Sequence, residues 1–336
     1  MPTVDMSQVN VSFKGVEANT IFLEPLFVNG PLSEYFKIMP MIKNGQQKML
    51  FAGIIENYLR QRIGCGFDPQ GNLPITKRCI SIKPVKGETE QCFDEFSYTI
   101  VEELLNTGVR KGDIQGTQIM NILIERLNQA KMNQVNLLAF FGDTATANAE
   151  QNFADGVWTK IVPQLVTANL MPRVNSLSGT ALGAGQAITL FDNVIDAASD
   201  ELDQFDASQK VFLTTRAVWR QLQKDLRDGA DGSSSFSSEV ENGKRVIRFD
   251  GIEIKKMSSW DNLAAQYMGT VLPSITSNFN LLLLTHRDNL VIGTDVEADM
   301  TRFDIWYNKD LDVTRTREAF MFGVDYVHPS LMSAAY

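Results

Sequence analysis

The spacing of apolar and polar residues divides the chain into stretches with different expected structures. Residues 1–31 place single apolar side chains among glycine, asparagine and proline, and they follow neither a helical nor an alternating period. Residues 34–42 and 49–51 are β-rich, and Lys43-Asn44-Gly45 between them predicts a hairpin turn. The sequence therefore predicts an irregular arm followed by a β-hairpin.

A long polar segment follows this hairpin. Tyr58–Lys77 contains repeated glycine and proline residues and leads into another β-rich run, Arg78–Pro84. A loop of this length in a compact domain is usually functional or disordered. We interpret it as the tip of a long hairpin that reaches away from the core.

The most regular pattern lies between Asp113 and Phe141. Apolar residues recur there at steps of mostly three and four, and no proline interrupts the segment. This pattern predicts one amphipathic helix about 42 Å long at a rise of 1.5 Å per residue. Gly112 and Asp113 supply the start signal and Gly142 the stop signal. We expect so long a helix to act as the backbone of the molecule.

The middle third of the chain alternates helical and strand patterns. It predicts a helix over Leu190–Phe205, a strand over Lys210–Thr214 and a helix over Thr215–Arg227. A Gly/Ser-rich loop follows at 229–238, and Asp250-Gly251 predicts a hairpin turn between two short strands. This order predicts a small α/β domain, after which β-like patterns return toward the C-terminus.

Composition places the chain among ordinary globular proteins. Its 336 residues are 44% hydrophobic and 21% charged, which excludes collagen-like, coiled-coil and wholly disordered chains. Its net charge of -9 repels phosphates, so a dedicated nucleic-acid reader is not expected. No apolar run approaches the roughly 18 residues that a membrane helix needs. We expect a soluble protein that is made in a cytosol.

The cysteines form no metal or disulfide pattern. Cys65, Cys79 and Cys92 are too few for a disulfide framework, and their spacing matches no zinc motif. We expect reduced thiols that are buried or half-buried. The sequence leaves one alternative open, in which Cys79 and Cys92 face each other across a hairpin that turns near Val85-Lys86.

Residues suited to catalysis or cofactor binding do not form a known motif. The glycine-rich stretch Gly179–Gly185 has no lysine and matches neither a P-loop nor a dinucleotide fingerprint. His286 and His328 have no motif partner, and no GxSxG elbow is present to expose an activated serine. We therefore predict no enzymatic activity, no cofactor and no metal site.

The order of these elements resembles the major capsid protein of tailed bacteriophages, the Hong Kong ninety-seven type, over essentially the whole chain. The stretches that carry the resemblance are Leu137–Asp143, Ala154–Val157, Lys210–Leu226, Asp250–Ile254 and Val313–Phe320. The cysteine-bearing hairpin is also similar to capsid proteins of phages that infect Bacteroidetes. Each motif is weak by itself, and their order is what carries the resemblance.

The resemblance implies an α+β capsid fold with named parts. These are an N-terminal arm at 1–31, an E-loop hairpin at 32–100, a P-domain at 101–162 with its spine helix at 113–141, an A-domain at 163–270, and a C-terminal β segment of the P-domain at 271–336.

The resemblance also implies contacts between subunits. Basic residues at the E-loop tip are expected to pair with acidic groups of a neighbour, and apolar residues of the arm are expected to lie against one. The candidate contact residues are Arg60, Arg62, Asp68, Lys77 and Arg78 in the tip and Phe22, Leu26 and Phe27 in the arm. No lysine and asparagine pair can be assigned to the covalent cross-link that some family members form.

The implied function is that of a non-enzymatic shell protein. Hexamers and pentamers would assemble in the cytoplasm of a bacterial host into the icosahedral head of the virion around double-stranded DNA, which is contacted only non-specifically. Scaffolding, portal and decoration proteins are implied partners, and a membrane is not. Two alternatives remain: an encapsulin-like nanocompartment of the same fold, and a soluble α/β enzyme whose site is unrecognised.

Overall fold

The computed structural model divides the chain into two compact units. Unit 1 comprises Met1–Gln46, Ser81–Ala139 and Ile292–Gly323, and unit 2 comprises Gln47–Ile80, Phe140–Val291 and Val324–Tyr336. The structure describes residues 11–14, 31–40, 42, 46–53, 61, 73–92, 118–162, 170–228, 236–241, 244–269, 271–272, 275, 277–295, 302–308, 310–311 and 313–336.

The described elements mix helices and strands, as an α+β chain should. The α-helices are α1 (Gln118–Phe141), α2 (Val157–Lys160), α3 (Gln186–Asp196), α4 (Asp200–Asp203), α5 (Arg216–Arg227) and α6 (Trp260–Tyr267). The strands are β1 (Val11–Lys14), β2 (Lys37–Met39), β3 (Gln46–Ala52), β4 (Ile75–Ser81), β5 (Lys83–Cys92), β6 (Arg173–Val174), β7 (Lys210–Thr215), β8 (Phe236–Glu241), β9 (Lys244–Phe249), β10 (Ile252–Met257), β11 (Leu282–His286), β12 (Leu290–Gly293), β13 (Arg302–Asn308), β14 (Val313–Tyr326) and β15 (Met332–Ala335). Short 3-10 helices occupy Pro31–Glu34, Ala207–Gln209 and Pro329–Leu331.

A six-stranded sheet is organised around the long strand β14. The order is β1-β13-β14-β12-β2, and β5 also pairs with β14. β13 and β5 both run antiparallel to β14, with Asn308 opposite Val313 in one ladder and Cys92 opposite the same Val313 in the other. This long strand therefore gathers segments that are far apart in the sequence.

One expected hairpin is wrong, and so is the alternative hairpin that the cysteines left open. β2 pairs with β12 at the edge of the six-stranded sheet, whereas β3 pairs with β4 in a separate two-stranded ribbon, so residues 34–42 and 49–51 do not form one hairpin. No turn occurs near Val85-Lys86, because β5 continues from Lys83 to Cys92 along β14. Cys79 is exposed on β4, so it is not the buried or half-buried thiol that was expected, and β4 pairs with β3 instead of β5. The long ladder that β14 offers outweighs the local turn signals.

A seven-stranded sheet contains the strands of the middle third of the chain. Its order is β6-β15-β11-β7-β10-β9-β8, with β7 at the centre and all of its residues buried. β10 runs parallel to β7, and β11 runs antiparallel to it. A core cluster that includes Phe191, Phe212, Trp219 and Leu222 joins α3 and α5 to the sheet.

Local signals in this region are largely confirmed. The strand predicted at Lys210–Thr214 and the following helix are β7 and α5, and the Asp250-Gly251 turn joins β9 to β10 with φ of 46° and 79°. The helix predicted over Leu190–Phe205 is instead two helices, α3 and α4. Ser199 causes the break, because its side chain accepts a hydrogen bond from the Leu202 N–H and caps α4.

The end of the long helix is confirmed, and its first predicted turn lies outside the described residues. α1 ends at Phe141, and the Gly142 carbonyl accepts the Gly156 N–H at 2.9 Å. A Cβ atom at Gly156 would lie 2.6 Å from the Phe140 carbonyl carbon, so only glycine allows this close approach. Phe140 and Phe141, which belong to unit 2 like Trp260, pack edge-on against its ring.

The C-terminal segment 271–336 contributes to both large sheets. β13 and most of β14 belong to the six-stranded sheet, whereas β11 and β15 belong to the seven-stranded one. The domain boundaries expected from the resemblance stay predictions. Among the described helices, none is long and apolar enough to cross a membrane.

Candidate assembly surfaces

The β3–β4 ribbon carries large apolar side chains that its own chain leaves in solvent. Leu50 on β3 is 64% exposed, Ile75 on β4 is 52% exposed, and Leu73 just before β4 is 42% exposed. At the far end of the ribbon the Gly53 N–H donates to the Pro74 carbonyl at 2.9 Å, so the pairing extends beyond the strands themselves. Clustered exposed apolar residues of this kind mark a surface that another molecule covers.

The opposite face of the ribbon packs on the rest of unit 2, because side chains alternate between the two faces of each strand. Met49 and Ile80 are buried there. Arg78 forms an ion pair with Asp325, with 2.7 Å between Nε and Oδ1, and its guanidinium lies 3.8 Å from the centre of the Tyr326 ring. Phe51 stacks on His328 with 4.4 Å between ring centres. The ribbon is therefore held along one face, while Leu50 and Ile75 point away from the anchoring residues of their strands and stay exposed.

Asp325 holds two cations at this anchor. Besides Arg78, it lies 3.2 Å from the Lys160 ammonium, which also donates to the Val324 carbonyl at 2.5 Å. Burial lowers the pKa of Lys160, and the charge of Asp325 opposes this effect. Burial likewise raises the pKa of Tyr326. The anchor is a partly buried polar network in which removal of the shared carboxylate would leave two cations without their partner.

Most of the sequence-predicted contact residues lie outside the described part of the chain. These are Arg60, Arg62 and Asp68 in the tip and Phe22, Leu26 and Phe27 in the arm. Lys77 is exposed on β4. Arg78 is already paired with Asp325 of its own chain, so its expected contact with a neighbour stays a prediction.

The paired strands β5 and β14 carry a ladder of opposite charges on the surface of unit 1. Arg315 lies 2.6 Å from Glu90, and Arg317 lies 2.7 Å from Glu88. Hydrogen bonds from Lys86 and then from Arg317 lower the pKa of Glu88. These side chains and Trp306 line an open depression of about 270 Å³. Exposed pairs of this kind contribute little stability each, but their alternation matches the register of β5 on β14.

A buried ion pair in unit 1 was not foreseen from the sequence. The Lys131 ammonium on α1 lies 2.6 Å from Glu318 on β14, and the Lys131 side chain is only 4% exposed. Such a pair adds little net stability by itself, but the loss of one partner leaves an uncompensated charge in the interior. Lys131 occupies a helix position that would otherwise suit an apolar residue. A lysine at such a position is the sequence signal that could have indicated the buried ion pair.

Histidine chemistry does not produce a catalytic arrangement in the described residues. His328 Nδ1 contacts the Ser330 hydroxyl, but that hydroxyl donates its proton to Glu201, so the histidine is not placed to remove it. Ser333 is buried and donates to the Val194 carbonyl at 2.9 Å. No group of three or more potential metal ligands occurs within the described ranges.

His286 also has a local structural role. Its ring packs edge-on against Phe205 with 4.6 Å between ring centres, and its Nδ1 accepts the Asp288 N–H at 3.1 Å. These contacts belong to the turn between β11 and β12. They account for the residue without a reaction.

Comparisons with known proteins identify the fold rather than a close relative. No protein-family model matches the sequence, and no curated protein matches it. A chain in the procapsid of satellite phage P4 is similar with a TM-score of 0.52 at 12% identity, covering 89% of this chain and 92% of that one.

Two further structures match at full length. The capsid of a native GTA particle gives a TM-score of 0.52 at 11% identity, covering 100% of this chain and 94% of that one. A structure of Microbacterium phage Oxtober96 gives a TM-score of 0.50 at 13% identity, covering 100% and 95%. The fold prediction is confirmed: this chain has the mixed α+β fold of phage capsid proteins of the Hong Kong ninety-seven type.

Proposed function

We propose that this chain is a major capsid protein that assembles, as hexamers and pentamers, into the icosahedral head of a tailed phage around double-stranded DNA. The host stays a prediction, including a host among the Bacteroidetes, and so do scaffolding, portal and decoration partners. The virion would be its final location, and the lack of an enzymatic activity stays an expectation.

The β3–β4 ribbon is the observation that carries this proposal. It is anchored along one face by Arg78, Asp325 and Phe51, and it exposes Leu50 and Ile75 on the other. A ribbon that only served its own subunit would turn these side chains inward, because exposure of such residues forfeits their burial energy. Coverage by a neighbouring subunit would restore that burial.

The geometry of the contact also fits a shell. One surface of the subunit would meet a different surface of the next, which is a heterologous contact, and heterologous contacts close into rings when the rotation between subunits permits. The similar chains in procapsid and capsid structures are matched along 89% to 100% of this chain, so the supporting likeness extends over the ribbon, both sheets and α1.

The charge of the chain fits a container better than a DNA reader. With 31 basic and 40 acidic residues, the shell would hold packaged DNA through weak, salt-dependent contacts only. An encapsulin-like compartment would share the fold and the charge. The contents of the particle therefore distinguish the two functions, and the shell alone does not.

Production of the full chain and negative-stain microscopy test the proposal. We expect closed shells, and particles isolated from a lysate that contains the phage should protect double-stranded DNA from nuclease. A chain that stays monomeric at high concentration would refute the shell function. Particles that hold a cargo enzyme in place of DNA would support the encapsulin-like alternative.

A variant tests the part played by the ribbon tip. Replacement of residues 62–72 by a short Gly-Ser linker leaves both described strands of the ribbon in place. The circular dichroism and melting temperature of the subunit should stay nearly unchanged, while shell formation should fail. Normal shells from this variant would show that the tip is not needed between subunits, and unfolding would place it in the core.

A further inference from the structure

A basic groove lies at one end of the seven-stranded sheet in unit 2. It has a volume of about 350 Å³ and is lined by Arg216, Trp219, Arg220, Gln223, Lys256 and Ser258. Four of these residues occupy one stripe of α5, and Lys256 comes from β10. Trp219 is nearly buried and forms an apolar floor under the cations.

The three cations of this groove have no acidic partner among the described residues. The ion pairs of nearby elements involve Lys210, Arg227, Lys255 and Arg287 instead. Asp261 is the adjacent carboxylate, but its oxygens accept the backbone N–H groups of Arg216 and Ala217 at 2.7 and 3.1 Å and cap α5. No described residue therefore neutralises the side-chain charges of Arg216, Arg220 and Lys256, which can pair with another molecule.

An acidic patch lies toward the opposite end of the same sheet. Asp192 and Asp196 are exposed one turn apart on α3, and Asp250 is exposed in the turn before β10. Burial first, and then the negative charges of Asp196 and Asp250, raise the pKa of Asp192. No cation pairs with these three carboxylates within the described ranges.

Strand β10 separates the two features. The acidic turn precedes its first residue, Ile252, and Lys256 lies near its other end, beside Met257, which is opposite Thr215 at the start of α5. The strand spans about 17 Å at 3.3 Å per residue. Each subunit therefore presents three cations at one end of a rigid element and three carboxylates toward the other, all without an ion-pair partner in the described part of the chain.

We propose that the basic groove of one subunit receives the acidic patch of a second copy of this chain, in a head-to-tail contact that repeats around a ring. This inference rests on the proposed shell function and assigns residues to one of its subunit contacts. Opposite charges orient the approach of the two subunits and disfavour the head-to-head arrangement, in which like charges would meet. Because the two surfaces differ, the contact is heterologous and can close into a ring.

A second copy fits the groove better than nucleic acid does. Three cations around a tryptophan floor suit a compact set of carboxylates, whereas a nucleic-acid surface needs a longer basic track. The chain as a whole carries more acidic than basic residues, so it repels an acidic partner at long range. The cations of the groove attract such a partner only when it comes close to them.

A charge exchange tests the contact. Arg216→Glu/Arg220→Glu reverses the groove, and Asp192→Lys/Asp196→Lys reverses the patch. We expect each variant to raise the protein concentration needed for assembly at least tenfold at physiological salt. The combination of all four substitutions should restore assembly to within about threefold of the original chain, because the exchanged charges are again opposite.

The control changes the same amount of charge elsewhere. Arg227→Glu/Arg126→Glu reverses two exposed cations that contact Asp228 and Gln129 and do not line the groove, and it should leave assembly within about threefold. Circular dichroism and melting temperature establish that each variant folds. If a reversed variant does not fold, the neutral pair Arg216→Gln/Arg220→Gln replaces it and should raise the assembly concentration at least threefold.

Each outcome separates the two proposals. If the original chain builds no shells, the proposed function fails before the groove is tested. If shells form and groove reversal has no effect, or the combined variant is not rescued, the head-to-tail contact is overturned. If groove reversal leaves assembly unchanged but releases double-stranded DNA from the particle, the groove binds nucleic acid and the proposal is wrong.

Discussion

Replacement of the exposed apolar residues on the β3–β4 ribbon is the sharpest single perturbation of the assembly surface. We consider Leu50→Thr/Ile75→Thr, because threonine keeps a strand-forming side chain and removes most of the apolar surface. Neither substitution opens a cavity within the subunit, since the two residues are 64% and 52% exposed. The subunit should therefore melt within about 2 °C of the original chain, because surface changes of this kind usually alter stability by under about 0.5 kcal/mol.

The magnitude follows from the exposed fractions. Full burial of a leucine or isoleucine side chain is worth about 1.5–3 kcal/mol. A neighbour that covers the exposed 64% of Leu50 and 52% of Ile75 would gain about 2–3 kcal/mol per subunit. Since each 1.4 kcal/mol is a factor of ten, the concentration needed for assembly should rise about 30- to 150-fold.

The assay is sedimentation velocity over a concentration series, which separates free subunits from shells. Leu311→Thr is the matched control, because Leu311 is 56% exposed and belongs to the turn after β13 and not to the ribbon. This control should shift the assembly concentration by less than about threefold. An unchanged assembly concentration for the ribbon variant, or an equal shift for the control, would refute the argument that the ribbon is the covered surface.

Three further predictions concern the stability of the subunit. Lys131→Ala should lower the free energy of unfolding by about 2–4 kcal/mol in chemical denaturation, because Glu318 loses its buried partner. The double variant Lys131→Met/Glu318→Leu should lower it by less, because neither charge is left unpaired. Equal losses in the two variants would contradict the pairing. Gly156→Ala should lower the free energy of unfolding by about 3 kcal/mol, because its Cβ would lie 2.6 Å from the Phe140 backbone. Gly269→Ala is the control and should lower it by under about 1 kcal/mol, because a Cβ there would have nothing within 4 Å. A small loss of stability in Gly156→Ala would disprove the close approach. Burial lowers the pKa of His328 from its usual 6.5, so its contribution to stability is present above pH 6.5 and is lost as the pH falls through the lower pKa of the folded state. Melting temperatures of His328→Gln measured against pH should lack this part of the pH dependence, while shells still form. An unchanged pH dependence would exclude the histidine as its source.

Local sequence signals predicted the local elements well. The end of α1 at Phe141, the β7–α5 unit and the Asp250-Gly251 turn all depend on residues within a few positions, such as a stop glycine or a turn that needs positive φ. The order of the elements was also sufficient to predict the fold. The single break that was missed, between α3 and α4, depends on a serine cap whose signal lies inside an apolar pattern.

Strand partners could not be predicted from the sequence. β2 pairs with β12, and β5 pairs with β14, through contacts between distant segments that no short motif encodes. The hypothesis that Cys79 faces Cys92 failed for this reason, since it assumed that neighbouring strands pair with each other. Competition among strands is decided by the length of the ladder and by burial, which appear only in the folded chain.

The candidate surfaces were likewise predictable only in their local features and not in their long-range contacts. The sequence indicated a projecting hairpin, but it did not indicate which side chains anchor it. The pairing of Arg78 with Asp325, and the groove of Arg216, Arg220 and Lys256, bring together residues from separate elements. Charge counts showed the overall acidity of the chain, but they did not indicate that the groove cations and the patch carboxylates lie in separate places.

The most direct measurement of the central claim is a cryo-microscopy reconstruction of particles formed by the full chain. The account predicts closed icosahedral shells in which the β3–β4 ribbon of each subunit lies on a neighbouring subunit and covers Leu50 and Ile75. Purified protein that forms no closed assembly, or shells in which both side chains remain in solvent, would contradict it.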